Sequence, residues 1–256
     1  MNAPPVIEME GVAVSSPRNP DLPQLEPVDW RVEEGECWVV GGLHGTGKTS
    51  LLQTAAGLQT IARGQLRVLG EPVPLGAGEA LTHLRRRVGI VFEGEGRLFP
   101  ALTVLENVVL PLRYHLDLSL ADATAEVAPL MTELNLDRLA SFFPGRIGHA
   151  WTRRVALARA LALRPGLLLL DNPMEGLDPS HLRWWRDFLG TLHRGHPWLA
   201  GRPQTLVITT DDLRPLLSVG DHFALTAGHQ WRIIGDRAAV QASTQRAVRE
   251  LLGEGE

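Results

Sequence analysis

The run Gly42-Leu43-His44-Gly45-Thr46-Gly47-Lys48-Thr49 commits this chain to a strand–loop–helix unit built around phosphate. It satisfies the spacing G-x-x-x-x-G-K-[ST]. Before it lies the apolar run Cys37 to Val40, which reads as a buried parallel strand. After it, Ser50 to Ala56 reads as a helix that Gly57 can end. The glycines let backbone N–H groups turn inward and wrap phosphate oxygens. Lys48 brings a point charge to the terminal phosphates, and Thr49 offers a hydroxyl to Mg2+. The helix N-terminus adds partial positive charge beside Ser50. A nucleoside triphosphate is the ligand this loop is built to hold.

Composition narrows the setting. With 256 residues and 44% hydrophobic side chains, the chain can bury a sizeable core. Its net charge of −4 argues against a nucleic-acid partner. Cys37 is the only cysteine and sits in an apolar strand, so no disulfide framework forms within the chain. No apolar stretch reaches the roughly 18 residues of a membrane span, and the start does not read as a signal peptide. The expectation is a soluble, cytosolic chain that serves a membrane only through an embedded partner.

Strands and helices alternate along the sequence. Val6 to Val14 reads as a strand, followed by a polar, Pro-rich loop and a strand near Val28 to Val32. Gln65 to Leu69, Val88 to Phe92, Leu167 to Leu170 and Leu206 to Thr209 read as further strands. Phe223 to Thr226 with Trp231 to Ile234 reads as a closing hairpin, and Ala242 to Leu252 as a terminal helix. Such alternation predicts a mainly parallel sheet with covered faces. Between about Glu93 and Ala150 it is interrupted by a helical block. There Thr103 with Glu106 and Ser119 with Asp122 have capping-box spacing, and Val127, Leu130, Met131 and Leu134 form an apolar stripe. Thr152 to Leu163 follows as a helix carrying Arg153, Arg154 and Arg159.

Leu167 to Leu170 ends in Asp171, an apolar strand that delivers a carboxylate toward a Mg2+ shell. Together with Arg153 to Leu161 and with Gly176-Leu177-Asp178-Pro179, this resembles the core of an ABC-type ATPase subunit. In that family the arginine helix follows the signature sequence, the strand is Walker B, and the Gly-Leu-Asp run is the D-loop. The resemblance runs from about Ile7 to Glu254. Residues 92–115 are similar to the Mla/Mce-type subunits that drive lipid transport in bacterial envelopes. The resemblance implies an α/β P-loop NTPase fold: one ATP-binding domain over residues 1–256, with a mainly parallel core sheet, an antiparallel β part and an inserted helical subdomain at about 93–150. It implies ATP and Mg2+, the ion held by Thr49, Asp171 and Glu93. It implies a homodimer or heterodimer and an integral-membrane permease partner, with the chain on the inner face of the cell membrane.

Several motif positions depart from the family pattern. Asn172 stands where a catalytic Glu follows the Walker B Asp, and an amide orients water without accepting its proton. Glu93 aligns with the Q-loop glutamine, and Thr210 with the switch histidine. The signature appears as Ile147-Gly148-His149-Ala150, without the serine hydroxyl and with Cβ atoms at His149 and Ala150 in place of glycines. Val14 to Leu25 has no aromatic to stack on adenine; Trp30 is the nearest, with a core role expected for it. Base stacking contributes about 1–3 kcal/mol per base, so weaker nucleotide binding is expected. The resulting reading is a transporter ATP-binding subunit impaired in hydrolysis. Two alternatives stay open: a working ATPase that borrows a carboxylate from Glu175, Glu93 or Asp211, and a regulatory scaffold outside transport. Arg97, Leu98 and Phe99 are the residues expected to meet the permease.

Overall fold

In a computed structural model, which describes residues 4–16, 19–59, 61, 63–73, 79–94 and 96–254, the phosphate loop hangs from the middle of a six-stranded sheet. Its strand, β3 (Cys37–Gly41), takes part in both hydrophobic layers. Before β3 come β1 (Ile7–Ser16) and β2 (Asn19–Val32), an antiparallel pair. β3 itself is Cys37–Gly41, followed by the loop and α1 (Lys48–Ala55). Then come β4 (Gln65–Val68), β5 (Glu71–Pro72), α2 (Glu79–Arg86) and β6 (Val88–Val91). Three helices separate β6 from the next strand: α3 (Val104–Leu116), α4 (Leu120–Glu133) and α5 (His149–Leu161). The chain continues through β7 (Leu167–Leu170), α6 (Pro179–Arg194), β8 (Thr205–Thr210) and the hairpin β9 (His222–Ala227) and β10 (Gln230–Gly235). It closes with α7 (Arg237–Ala242) and α8 (Arg246–Leu251).

The central sheet has the order β10-β9-β3-β8-β7-β6 and is parallel except for β10. A smaller antiparallel sheet, β2-β1-β4-β5, lies apart from it. Side-chain alternation divides the core into two layers. Cys37 and Val39 of β3, with Leu168 and Leu170 of β7, face a layer shared with α3, α4, α5 and α6. Trp38, Val40, Leu167 and Leu169 face the opposite way, onto α1 and the antiparallel sheet. Every residue of β3, β7 and β8 is buried, as expected for strands covered on both faces.

Local signals set the helix ends. Thr103 and Glu106 close a reciprocal capping box at α3, and the Ser119 hydroxyl accepts from Asp122 N at α4. α1 ends where Gly57 N donates to Thr54 O and Leu58 N to Gln53 O, with Gly57 left-handed at φ 64°. The stripe Val127, Leu130, Met131, Leu134 is buried core. Two expectations need correction. The loop expected after Val14 is largely strand: β2 runs back to Asn19, and only Pro17 and Arg18 lie outside the described residues. The single terminal helix expected over Ala242–Leu252 is two short ones, because residues 243–245 leave the helical path between α7 and α8. Val248, Leu251 and Leu252 pack into the chain's own core.

Candidate functional site

The loop between β3 and α1 is tied down from three directions. Gly42 N donates to Thr210 O at the end of β8 (3.1 Å). The Thr46 and Thr226 hydroxyls pair at 2.9 Å, linking the loop to β9. Ser50 Oγ donates to Gln24 Oε1 of β2 at 2.5 Å. Gly42 admits no side chain: a Cβ there would stand 2.3 Å from Thr226 Oγ1 and 2.7 Å from Thr226 O. Gly47 sits at φ 99°, which frees the backbone to turn its N–H groups inward ahead of α1. The resulting cleft, about 220 Å³, is lined by Gln24, His44–Ser50 and Glu93.

Lys48 is buried, and its ammonium donates to Gly42 O (2.5 Å) and Leu43 O (2.9 Å). Burial pushes its pKa down, and four carboxylates oppose that: Asp211, Asp171, Glu93 and Glu175. Facing it, Asp171 accepts from Thr49 Oγ1 (2.8 Å) and from Thr209 Oγ1 of β8 (2.8 Å). Burial raises the Asp171 pKa, the two hydroxyls lower it, and nearby Glu93 raises it again. Thr49, Asp171 and Glu93 offer only oxygen donors, and two carboxylates drawn together favour a hard divalent cation between them. The residues present therefore fit Mg2+ beside a nucleotide.

A buried carboxylate with a raised pKa lowers the stability of the ion-free protein as pH rises through that pKa. Asp171→Asn is accordingly expected to stabilise the nucleotide-free chain by about 0.5–2 kcal/mol, read as a higher melting temperature. The gain over the parent should be small below about pH 4, the unfolded carboxylate value, and grow above it. The same variant should lose Mg2+-dependent nucleotide binding. Paired melting curves at several pH values test the first part, and nucleotide titrations with and without Mg2+ the second.

The structure separates the motif positions expected from sequence. Asn172 follows Asp171 in a left-handed conformation (φ 45°) and is buried. Its amide Nδ2 donates to Glu93 Oε1 at 3.3 Å, so the two altered positions face each other. Thr210 does not face the phosphate loop. Its hydroxyl donates to Asp212 O (2.8 Å) and accepts from Asp212 N (3.0 Å). Asp211, one residue on, is the side chain that groups with His44 and Glu175 at the loop. Thr209 points to Asp171, so strand alternation turns Thr210 the other way. Gly148, His149 and Ala150 sit at the start of α5 and do not line the cleft; Gly148 has φ −72°, a conformation any residue adopts. Trp30 is core: it is 2% exposed and packs edge-on against Trp38. Gln24, which sequence reasoning missed, holds Ser50 from β2, and no spacing rule would have found it.

Residues 25–175, more than half of the chain, match the family described as ABC transporter. The chain belongs to the ABC transporter family. MlaF of Escherichia coli, an intermembrane phospholipid transport system ATP-binding protein, is 29% identical over 228 residues, 89% of this chain and 82% of MlaF. Nod factor export ATP-binding protein I of Burkholderia thailandensis is 38% identical over 164 residues, 63% of this chain. The chain spans only 52% of that relative's length. An ATP-binding cassette solved as a dimer in a post-hydrolysis state, bound to ADP and Pi, superposes with a TM-score of 0.79 at 25% identity, covering 90% of this chain and 98% of that one. The α/β architecture described above is thus that of an ABC nucleotide-binding domain.

Among the described residues of this ABC domain, no helix is long and apolar enough to cross a membrane. One surface hollow stands out, an apolar depression of about 800 Å³ between β6 and α3. Phe92, Phe99, Pro111 and Tyr114 line it, with Phe99 51% and Tyr114 77% exposed. Arg97 lies over the Phe92 ring at 3.9 Å, and its backbone carbonyl accepts from Arg159. Leu98, grouped with Arg97 and Phe99 on sequence, instead packs against the core. Glu95, in the same segment, lies outside the described residues.

Proposed function

We propose that the chain is the ATP-binding subunit of a lipid transporter, holding Mg2+–ATP and hydrolysing it slowly or not at all. The observation that carries this is the pairing of a complete phosphate loop with an amide at position 172, whose N–H is spent on Glu93. Bound nucleotide supplies the phosphate charge and the cleavable terminal bond. Lys48 and the loop N–H groups receive the phosphates, while Thr49 and Asp171 hold the ion. Asn172 positions water but takes no proton from it, and loss of a general base costs typically 10²–10⁴-fold. Phosphate release by the chain with its membrane partner, set against Lys48→Ala, tests the reading. Turnover in the ordinary enzymatic range, about 1–10³ s⁻¹, lost in Lys48→Ala would refute impaired hydrolysis.

A second reading has one observation in its favour. Glu93 faces Asn172 across 3.3 Å, so the site keeps a carboxylate on the other side of the same gap. In this reading Glu93 polarises the water, and the chain is a working motor.

Lipid as cargo is supported by the likeness to MlaF across 89% of the chain and by residues 92–115. Phospholipid transfer between vesicles, by the chain with its permease, tests it; transport of another class of molecule would redirect it. The apolar hollow is the proposed seat of a permease helix, which would place the chain on the inner membrane face. Phe99→Ser with Tyr114→Ser is expected to abolish co-purification with the permease and leave ATP binding unchanged. Retained co-purification would move the docking surface elsewhere. A dimer is supported by the cassette solved in that form.

A further inference from the structure

His44, Glu175 and Asp211 come from three separate segments, the phosphate loop, the turn after β7 and the turn after β8. Their ligand atoms all lie within 4.8 Å of one another. We infer that this trio is a second cation site, one that takes a divalent transition ion such as Zn2+ and is distinct from the oxygen-only set of Thr49, Asp171 and Glu93.

The donor chemistry sets the ion class. An imidazole nitrogen with two carboxylates suits Zn2+ and its first-row neighbours, whereas Mg2+ takes oxygen. The spacing agrees. His44 Nε2 stands 3.5 Å from Glu175 Oε1, longer than a good hydrogen bond. It is close to the edge of a tetrahedron with bonds of about 2.0–2.1 Å, which is about 3.3 Å.

The third observation is independent of the trio. Arg153, which is buried, fixes the loop that carries Glu175. It donates to Pro173 O (3.3 Å) and to the Glu175 carbonyl, and its guanidinium lies 3.9 Å from Glu175 Oε2. One carboxylate oxygen is thereby turned to Arg153 and the other to His44, the kind of outer support that orients metal ligands. Lys48, whose charge Asp211 and Glu175 also feel, gives its hydrogen bonds to the Gly42 and Leu43 carbonyls.

An ion here pins the rim of the phosphate loop to the two turns opposite, across the mouth through which terminal phosphates enter. Zn2+ and Mg2+–ATP therefore compete. The competition rests on the nucleotide reading; the ion site does not.

The test is calorimetric titration of the nucleotide-free, full-length chain with Zn2+ alone. One site is expected, weakened more than about tenfold in His44→Ala and in Glu175→Gln. Lys48→Ala should retain it, and so should His193→Ala, which removes a partly buried His–Asp pair away from the trio. His44 is 70% exposed, so His44→Ala is compatible with folding, which the melting curve checks. Parent-like affinity in His44→Ala, or an equal loss in His193→Ala, overturns the site. Mg2+–ATP should weaken Zn2+ binding more in the parent than in Lys48→Ala, where only chelation of Zn2+ by free nucleotide remains. Retained Zn2+ binding without that competition overturns the blocking role alone.

Discussion

Replacing Asn172 by Glu together with Glu93 by Gln is expected to raise Mg2+-dependent ATP turnover about 10²–10⁴-fold, the span a general base supplies. The pair matters because the two side chains touch, with Asn172 Nδ2 donating to Glu93 Oε1 at 3.3 Å. Asn172→Glu alone sets a second carboxylate against Glu93 and a third beside Asp171, which is buried and already raised in pKa by desolvation. Crowded carboxylates hold on to protons, so the new base is kept neutral and the single variant gains far less. Exchanging both restores one carboxylate and one amide to the gap. Glutamate at φ 45° carries some backbone strain, of order 1–3 kcal/mol, which appears in the melting temperature. Phosphate release by the parent, both single variants and the double gives a complete cycle. Equal gains in Asn172→Glu and the double would dismiss the charge argument. Loss of residual turnover in Glu93→Gln alone would favour Glu93 as the working carboxylate.

Gly42→Ala should destabilise the chain by about 1–3 kcal/mol, the usual cost of overpacking, and weaken ATP binding more than about tenfold. Three atoms occupy the place of the new methyl: Thr226 Oγ1 at 2.3 Å, Thr46 Oγ1 at 2.6 Å and Thr226 O at 2.7 Å. The two hydroxyls form the tether between loop and β9, so neither moves aside without breaking it. The third atom is strand backbone. Gly45→Ala is the comparison, because nothing lies within 4 Å of its Cβ and only its φ of 79° opposes it. A melting temperature and nucleotide titration for each would separate crowding from strain. An unchanged Gly42→Ala would mean that the loop is not held as described.

The parts legible in the sequence were those with short-range causes. Cys37–Val40 and Leu167–Leu170 are apolar without interruption because both faces are covered, and they read as strands at once. Thr103 and Ser119 announce their helices because a cap needs only its own first turn. The first half of β2 escapes the sequence reading because Pro20, Pro23 and Pro27 suggest a loop, yet β2 is the outer strand of its sheet. An edge strand tolerates residues that lack an N–H. At the site, the loop and Asp171 were legible from spacing alone. That the Thr210 hydroxyl turns to Asp212 while Asp211 joins His44 and Glu175 is not visible in a linear motif, which does not show where a strand's alternation ends. Neither the contact between Asn172 and Glu93 nor the grouping of His44, Glu175 and Asp211 leaves a trace in spacing, since each joins segments from different strand ends.

The position of β3 carries a consequence for the order of assembly. Its two neighbours in the sheet are β8 and β9, and the Thr46 tether reaches a partner 180 residues further on. The nucleotide loop is therefore synthesised early and completed late. A nascent chain that has emerged through β7 carries the whole phosphate motif but neither strand that holds it. Contacts so distant in sequence close slowly, after the local helices have formed. Nucleotide capture would thus report that β8 and the β9–β10 hairpin have docked, and bound ATP would act on this domain as a seal on finished folding.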